Sequence, residues 1–553
     1  MKKNTFKKVA ALSVACAMSA GLLAGCGGGS SASSAATPSA GDSSASSEAA
    51  APTAATVEGG TVTIYQQSDP TTVVAWDCRA TQNVFWQSIC QETLMVYDGN
   101  GNPQNWLIDS ITPDADALTY TIKIKEGIKF SDGSDLNADA VAWNLNKYKA
   151  EGVMSASLYS KFDNAEVTGD YEVVCHFSSW DSLFTYTLAR SCPIASKEAY
   201  YNNGGDEDAD GNELTDGEDY LAANPIGTGP FVLTDWQHDV SMTFTRNDNY
   251  WAGKAIVDEI KFVDYAAELT AQAAMQAGEL NAMATTNFGL ADQMAAMGDY
   301  EIHAASLPTS AYTLCFTSND PSDPFYDPDV RKAVSYAIDS QTIADGIGYG
   351  YATVSNQWCM EGSDFYNTDI EGQPYNVAKA KELLASAGYP DGFDTTLTVI
   401  NVTGYTDVCQ VIVEQLAQIG VNVTLNPVEA ASYANYIAAW GGGMLMHPMG
   451  MENGAASQYA ATFVQDLSFA LGVNAFEHPD DLNQILSDAQ SAATEDERNS
   501  LIKEAAAKII DDYCYMKVVE IVLTIGITTG VSNMNYCSTY NLYVDYMNVA
   551  LNG

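Results

Sequence analysis

The chain has 553 residues, enough for two or three domains with complete cores. It carries 70 acidic residues against 24 basic ones, a formal net charge of -46. A surface so negative repels nucleic acid and gains nothing from anionic lipid, which sets both aside as occupants of a charged groove.

The first residues read as an export signal. Lys2, Lys3, Lys7 and Lys8 precede an apolar run over 9–23, shorter than the roughly 20 residues a membrane helix needs. The run ends in Leu23-Ala24-Gly25-Cys26, which resembles the lipobox of bacterial lipoproteins. That resemblance implies a signal peptide over 1–26 and acylation at Cys26. Residues 27–56 are Gly, Ser, Ala, Thr and Pro with almost no large apolar side chain, the composition of a flexible tether. Of eleven cysteines, Cys16 lies in the signal and Cys26 carries the lipid; the remaining nine cannot all pair and include no CxxC. Most are expected as buried thiols, with a Cys175–Cys192 pairing left open.

Ordered structure is expected to begin with a strand over 61–65, followed by an interruption at 77–83 and an apolar-periodic helix over 84–97. Alternation over 120–124 predicts a strand, and Asn137 caps a helix running from 138 to about 150. An acidic insert follows. Asp206, Asp208 and Asp210, with Gly211, match the first half of an EF-hand-like loop and are candidate calcium ligands. Position twelve of that loop is Gly217, so a solvated acidic loop is the competing reading. Gly227, Gly229 and Pro230 then make a sharp corner into a hairpin with strands at 231–233 and 242–245. A helix is expected over 268–284 and another opening at Asp327-Pro328. Residues 395–428 are the clearest βαβ unit, whose right-handed crossover makes its two strands parallel neighbours. Thr494 and Glu497 form a capping box for a helix reaching 512, and strands at 516–528 and 542–550 finish the chain.

Four stretches carry a family resemblance. Thr228-Gly229-Pro230 with Tyr250-Trp251, Phe130-Ser131-Asp132-Gly133 with Ala138-Asp139-Ala140-Val141, Val330-Arg331 through Ala337-Ile338-Asp339, and Gly388-Tyr389-Pro390-Asp391-Gly392 stand in matching order. They are similar to the extracytoplasmic solute-binding proteins of family 5, the peptide- and nickel-type receptors of ABC importers. Ala140 departs from that pattern, which has an acid there. The resemblance implies an α/β, two-lobed periplasmic-binding-protein-like fold of the hinged, cluster C type, with an extra domain in the N-terminal half. Its expected division is lobe 1 from 57–92, 226–312 and 529–553, the additional domain from 93–225, and lobe 2 from 313–528. The chain would cross between lobes near 312–318 and 524–530.

In such a fold, ligands meet the loops at the carboxyl ends of parallel strands. The candidate ligand-binding residues are therefore Arg79, Thr81 and Asn83 from the first lobe, and Trp358, Asn401, Thr403, Tyr405, His447, Met449, Gly450, Met451 and Glu452 from the second. Dipeptide-binding relatives grip the peptide termini with an Arg and an Asp in the two second-lobe loops. Residues 401–405 contain no base and 449–454 offer only Glu452, which argues against a strict dipeptide receptor. An oligopeptide bound as an extended strand fits, as does an oligosaccharide on the aromatics or a metal complex. No nucleophile elbow, HExxH or phosphate loop is present, so the chain is read as a non-enzyme, with no cofactor beyond the calcium considered above. The expected protein is a monomeric lipoprotein on the outer face of a Gram-positive cell membrane. It captures an oligopeptide and passes it to a permease and its ATPase; presentation of a peptide pheromone to a sensor is the alternative.

Overall fold

The computed structural model describes residues 56–552 except 71, 78–83, 99–101, 153–158, 191, 207–215, 306, 307, 309, 358, 360, 373, 403, 430, 431, 434, 435, 438, 451–474, 476, 478, 513, 514 and 535–543. Among the described residues five sheets form. The first lobe is a seven-stranded sheet in the order β13 (Tyr300–Ala304), β20 (Thr524–Thr528), β12 (Ala282–Thr285), β2 (Thr61–Gln66), β11 (Glu259–Asp264), β10 (Ser241–Arg246), β9 (Phe231–Gln237). Here β2 runs parallel to both β11 and β12, and the other pairs are antiparallel. A small clasp of β1 (Thr56–Val57), β22 (Ala550–Asn552) and β21 (Val531–Ser532) ties the two ends of the body together.

Between β2 and β9 the chain builds a middle domain. It contains the pair β3 (Met95–Tyr97) and β4 (Pro103–Asn105), and an antiparallel sheet ordered β5 (Ile108–Asp114), β6 (Thr119–Ile124), β8 (Glu172–Phe177), β7 (Phe162–Gly169). Alternate residues Tyr120, Ile122 and Ile124 of β6 are buried, the pattern of a sheet with one face on a core. The second lobe is a six-stranded sheet ordered β15 (Ala352–Thr353), β19 (Tyr515–Ile521), β14 (Ser310–Phe316), β18 (Met444–Gly450), β16 (Phe393–Ile400), β17 (Val421–Val428). The βαβ expectation is met: β16 and β17 pair in parallel from Phe393 with Val421 to Ile400 with Val428. One face buries Leu314, Phe316, Met444, Met446 and Val519 against helices Pro328–Ala337, Val377–Ser386 and Tyr405–Ala417.

Helix starts follow side-chain chemistry. Asn137 accepts from the Ala140 amide, Asp327 from Asp329 and Asn376 from Lys379, each satisfying an otherwise unpaired amide of a first turn. Several ends differ from expectation. The helix expected over 268–284 stops at Gln276, and Ala282-Met283-Ala284 becomes β12 because β20 and β2 pair with it on both sides. The helix expected over 84–97 likewise ends at Cys90 before β3, and the last strand is confined to Ala550–Asn552. β13 ends at Ala304 in the seven-stranded sheet and β14 begins at Ser310 in the six-stranded one; β19 ends at Ile521 and β20 begins at Thr524 back in the first. Residues 310–312 thus belong to the second lobe and 524–528 to the first.

The motif residues turn out to be scaffold. Gly227 and Gly229 pass so close to the 89–91 backbone that a Cβ would sit 2.2 Å from the Cys90 oxygen and 2.6 Å from the Ile89 oxygen. This corner brings Thr228, Tyr250 and Trp251 onto the buried carboxylate of Glu92. Glu92 accepts from Thr228 Oγ1 (2.7 Å), Tyr250 Oη (2.6 Å), Trp251 Nε1 (2.9 Å) and Trp106 Nε1 (2.7 Å). Burial pushes its pKa up, against the pull of the four donors. The cage joins the hairpin of the first lobe to the middle domain. Arg331 is also buried; its guanidinium donates to the carbonyls of Phe325, Tyr326 and Asp512.

Candidate ligand cleft

Strand directions converge on one edge of each lobe. In the second lobe, β14 begins where antiparallel β18 and β19 end, and β16 is parallel to β18. Ser310, Gly450, Ile521 and Ile400 therefore share the edge that faces the crossings. In the first lobe the same reading puts Thr285, Thr524, Ala304, Gln66 and Asp264 at the hinge edge. The Thr524 hydroxyl donates to the Thr285 carbonyl (2.8 Å), and the Thr285 hydroxyl donates to Glu268 Oε1 (2.7 Å). Loops leaving these edges are the ones that can reach a solute lying between the lobes.

Of the candidate residues, Asn401 and Tyr405 flank the turn after β16. Asn401 Nδ2 donates to Glu429 Oε1 (3.0 Å) at the end of β17, which holds the two loops together. The Tyr405 ring lies 4.4 Å from that of Tyr312 on β14, tilted by 41°. His447 was expected in a loop. It lies within β18 instead, opposite Thr313, because β18 extends to Gly450 against the whole length of β14. Tyr433 Oη donates to the Met446 carbonyl and lies 3.0 Å from His447 Nδ1, which places the imidazole proton on Nδ1. Burial pushes the His447 pKa down to about 4, so the ring is neutral at pH 7. Met449 and Gly450 are also strand residues, paired with Ala311 and Ser310. Arg79, Thr81, Asn83, Trp358, Thr403, Met451 and Glu452 lie outside the described residues, as does Cys26. Asp206 is exposed, and Asp208 and Asp210 are outside the described set. Among the described residues no three His, Cys, Asp or Glu side chains are placed to hold a metal ion.

A buried ion pair beside this edge escaped the sequence reading. Lys517 and Glu520 are three apart on β19, which in a regular strand puts them on opposite faces. The register slips at Tyr312/Thr313, where Thr313 pairs with Lys517 and Tyr312 with Val519, so Val518 is the extra residue of a bulge. Both charges thereby reach one face and pair there, with side chains 2% and 9% exposed. Burial pulls the Lys517 pKa down while Glu520 opposes it. Lys517, Thr313 and His447 form a row across three strands. Two cavities are also present, the first reaching Lys517. One of about 330 Å³ touches Asp339, Glu371, Tyr375 and Lys517, and one of about 630 Å³ touches Trp180, Tyr186, Glu495 and Arg498.

Two lobes joined by paired crossings, with loops converging on the hinge edge, define a hinged solute-binding protein. Residues 102–469 match the model of the bacterial extracellular solute-binding proteins, family 5 (middle). The chain belongs to this family, a family of solute-binding proteins rather than enzymes. It is 30% identical over 378 residues to the glutathione-binding protein GsiB of Salmonella typhimurium, covering 68% of this chain and 70% of the relative. In structure it is similar to the periplasmic binding protein DppA of Helicobacter pylori in complex with the peptide STSA, with a TM-score of 0.74 at 21% identity, over 90% of this chain and 99% of that one. It is also similar to NikA of Brucella suis in complex with Fe(III)-EDTA, with a TM-score of 0.77 at 20% identity, over 89% and 100% of the two chains.

Proposed function

We propose that this protein is a lipid-anchored receptor that captures an oligopeptide between its lobes and delivers it to a membrane permease and ATPase. The observation that carries the peptide reading is the make-up of the second-lobe loops. Residues 401–405 and 449–454 contain no Lys or Arg, and His447 is held neutral, so this rim offers hydrogen-bonding and aromatic groups rather than a clamp for a terminal carboxylate. Such a rim suits a ligand held along its backbone. Two of the similar proteins are named for, or hold, short peptides: the glutathione-binding protein and the complex with STSA. Cys26 would hold the protein at the extracytoplasmic face, as a monomer. Ligand favours the closed state only through contacts made to both lobes at once.

Titration calorimetry against di-, tri-, tetra- and octapeptides, reduced glutathione, maltooligosaccharides and nickel–histidine tests this. The expected result is binding of peptides of three residues or more without turnover. Binding confined to a sugar or a metal complex, or hydrolysis of any peptide, would overturn it.

A further inference from the structure

The middle domain and the helix pair Asp480–Ser491 and Glu495–Asp512 lie on opposite sides of the hinge by chain order. The former is inserted in the first lobe between β2 and β9, and the latter in the second lobe between β18 and β19. The Glu92 cage and the Ser131 amide, which donates to the Gly227 carbonyl (2.9 Å), fasten the middle domain to the first lobe. A rotation of the six-stranded sheet relative to the seven-stranded one, about the links between β13 and β14 and between β19 and β20, would then part the middle domain from the helix pair.

These two surfaces are in direct contact. The last carbonyls of an α-helix have no partner within it and need donors from elsewhere. At the end of helix Asp480–Ser491 those donors come from the middle domain: Trp180 Nε1 to the Ala492 carbonyl (2.9 Å), the Ser182 amide to Gln490 (2.9 Å) and Ser182 Oγ to Ala489 (2.9 Å). In return, Arg498 Nη1 donates to the Ser182 carbonyl (3.1 Å), and its guanidinium lies 5.5 Å from the rings of both Tyr186 and Phe365. Lys161 Nζ adds a 3.1 Å bond to Ser491 Oγ. None of these residues is among the candidate ligand contacts.

We propose that this seam is a closing latch, in which Trp180, Ser182 and Arg498 are positioning residues that set the open–closed equilibrium, and hence the affinity, without touching the solute. The inference rests on the reading that the lobes open and close. Each hydrogen bond across the seam exchanges for water on opening, so its net worth is small, while Trp180, Leu183, Phe365, Leu486 and Ala489, which share one buried apolar cluster, add to the closed side of the balance. Because apparent affinity scales with the closed fraction, weakening the seam weakens binding by the factor by which that fraction falls.

The test uses the full-length protein with no solute added, which separates it from the identity of the ligand. Hydrogen–deuterium exchange is followed by mass spectrometry in peptides containing Ser182 and, as an internal control, Ser131. Wild type should protect both. Trp180→Phe and Arg498→Ala should speed exchange at Ser182 by about threefold to tenfold, leave Ser131 unchanged and raise the radius of gyration in solution scattering. Arg498→Lys should recover part of the protection. Equal acceleration at Ser131 would mark a merely structural role and overturn the proposal. So would unchanged exchange in both variants, or an unprotected Ser182 in wild type.

Discussion

The Tyr250 hydroxyl donates a 2.6 Å hydrogen bond to the Glu92 carboxylate across 158 residues of sequence, at the centre of four donors that converge on one buried acid. The signature that places this chain in its family is therefore a weld between lobe and middle domain. Removing the acid strands four donors at once, two of them buried and two partly buried. Glu92→Ala should cost about 3–5 kcal/mol. Glu92→Gln should cost less yet remain destabilising, since its NH2 would face donors. Urea unfolding of both variants measures this.

The Lys517–Glu520 pair makes a different prediction, because burying two charges gains little over apolar packing while breaking the pair leaves one charge uncompensated. Lys517→Met and Glu520→Leu should each destabilise by about 3–5 kcal/mol. The double variant should be more stable than either single one. A double variant as poor as the sum of the two would contradict the account.

Acid should act through His447. An unperturbed histidine titrates near 6.5, whereas burial holds this one to about 4. Between those values the unfolded chain takes up a proton that the folded chain refuses. The contribution of this residue is thus intact above pH 6.5 and lost as the pH falls toward 4. From pH 7 to about 4.5 the wild-type Tm should fall further than that of His447→Gln in calorimetry.

Tyr405 packs against Tyr312 in a tilted ring contact at the rim proposed for the solute. Tyr405→Ala should weaken binding of the tightest peptide in the panel by about threefold to tenfold, the range of an aromatic contact, and leave the far-UV spectrum unchanged. Unaltered affinity would move the site away from this rim.

If Cys26 carries the anchor, Cys26→Ala should shift the protein from the membrane fraction to the medium and abolish labelling by a radioactive fatty acid. Retention at the membrane would argue for another attachment.

Much of the scaffold was legible because local chemistry decides it. Asn137, Asp327 and Asn376 cap helices, and the β-branched run expected over 395–402 pairs in parallel with 421–428 as far as Ile400. What could not be read depends on distant partners. Ala282-Met283-Ala284 has good helix propensity and is a strand only because of β2 and β20. The bulge at Val518 leaves no local mark, so Lys517 and Glu520 read as facing apart. Glu92 matched no motif; only the fold reveals that Thr228, Tyr250 and Trp251 all serve it. The candidate site was the least legible part. His447 belongs to a strand only because β18 extends to Gly450 along the whole of β14, a pairing that no local residue signals.

The clasp pairs Thr56 with Asn552 and Val57 with Leu551. Thr56 and Asn552 therefore lie side by side, next to the core of the first lobe. A load applied at either of these two residues is borne first by the clasp and the seven-stranded sheet, and reaches the six-stranded sheet only through the rest of the chain.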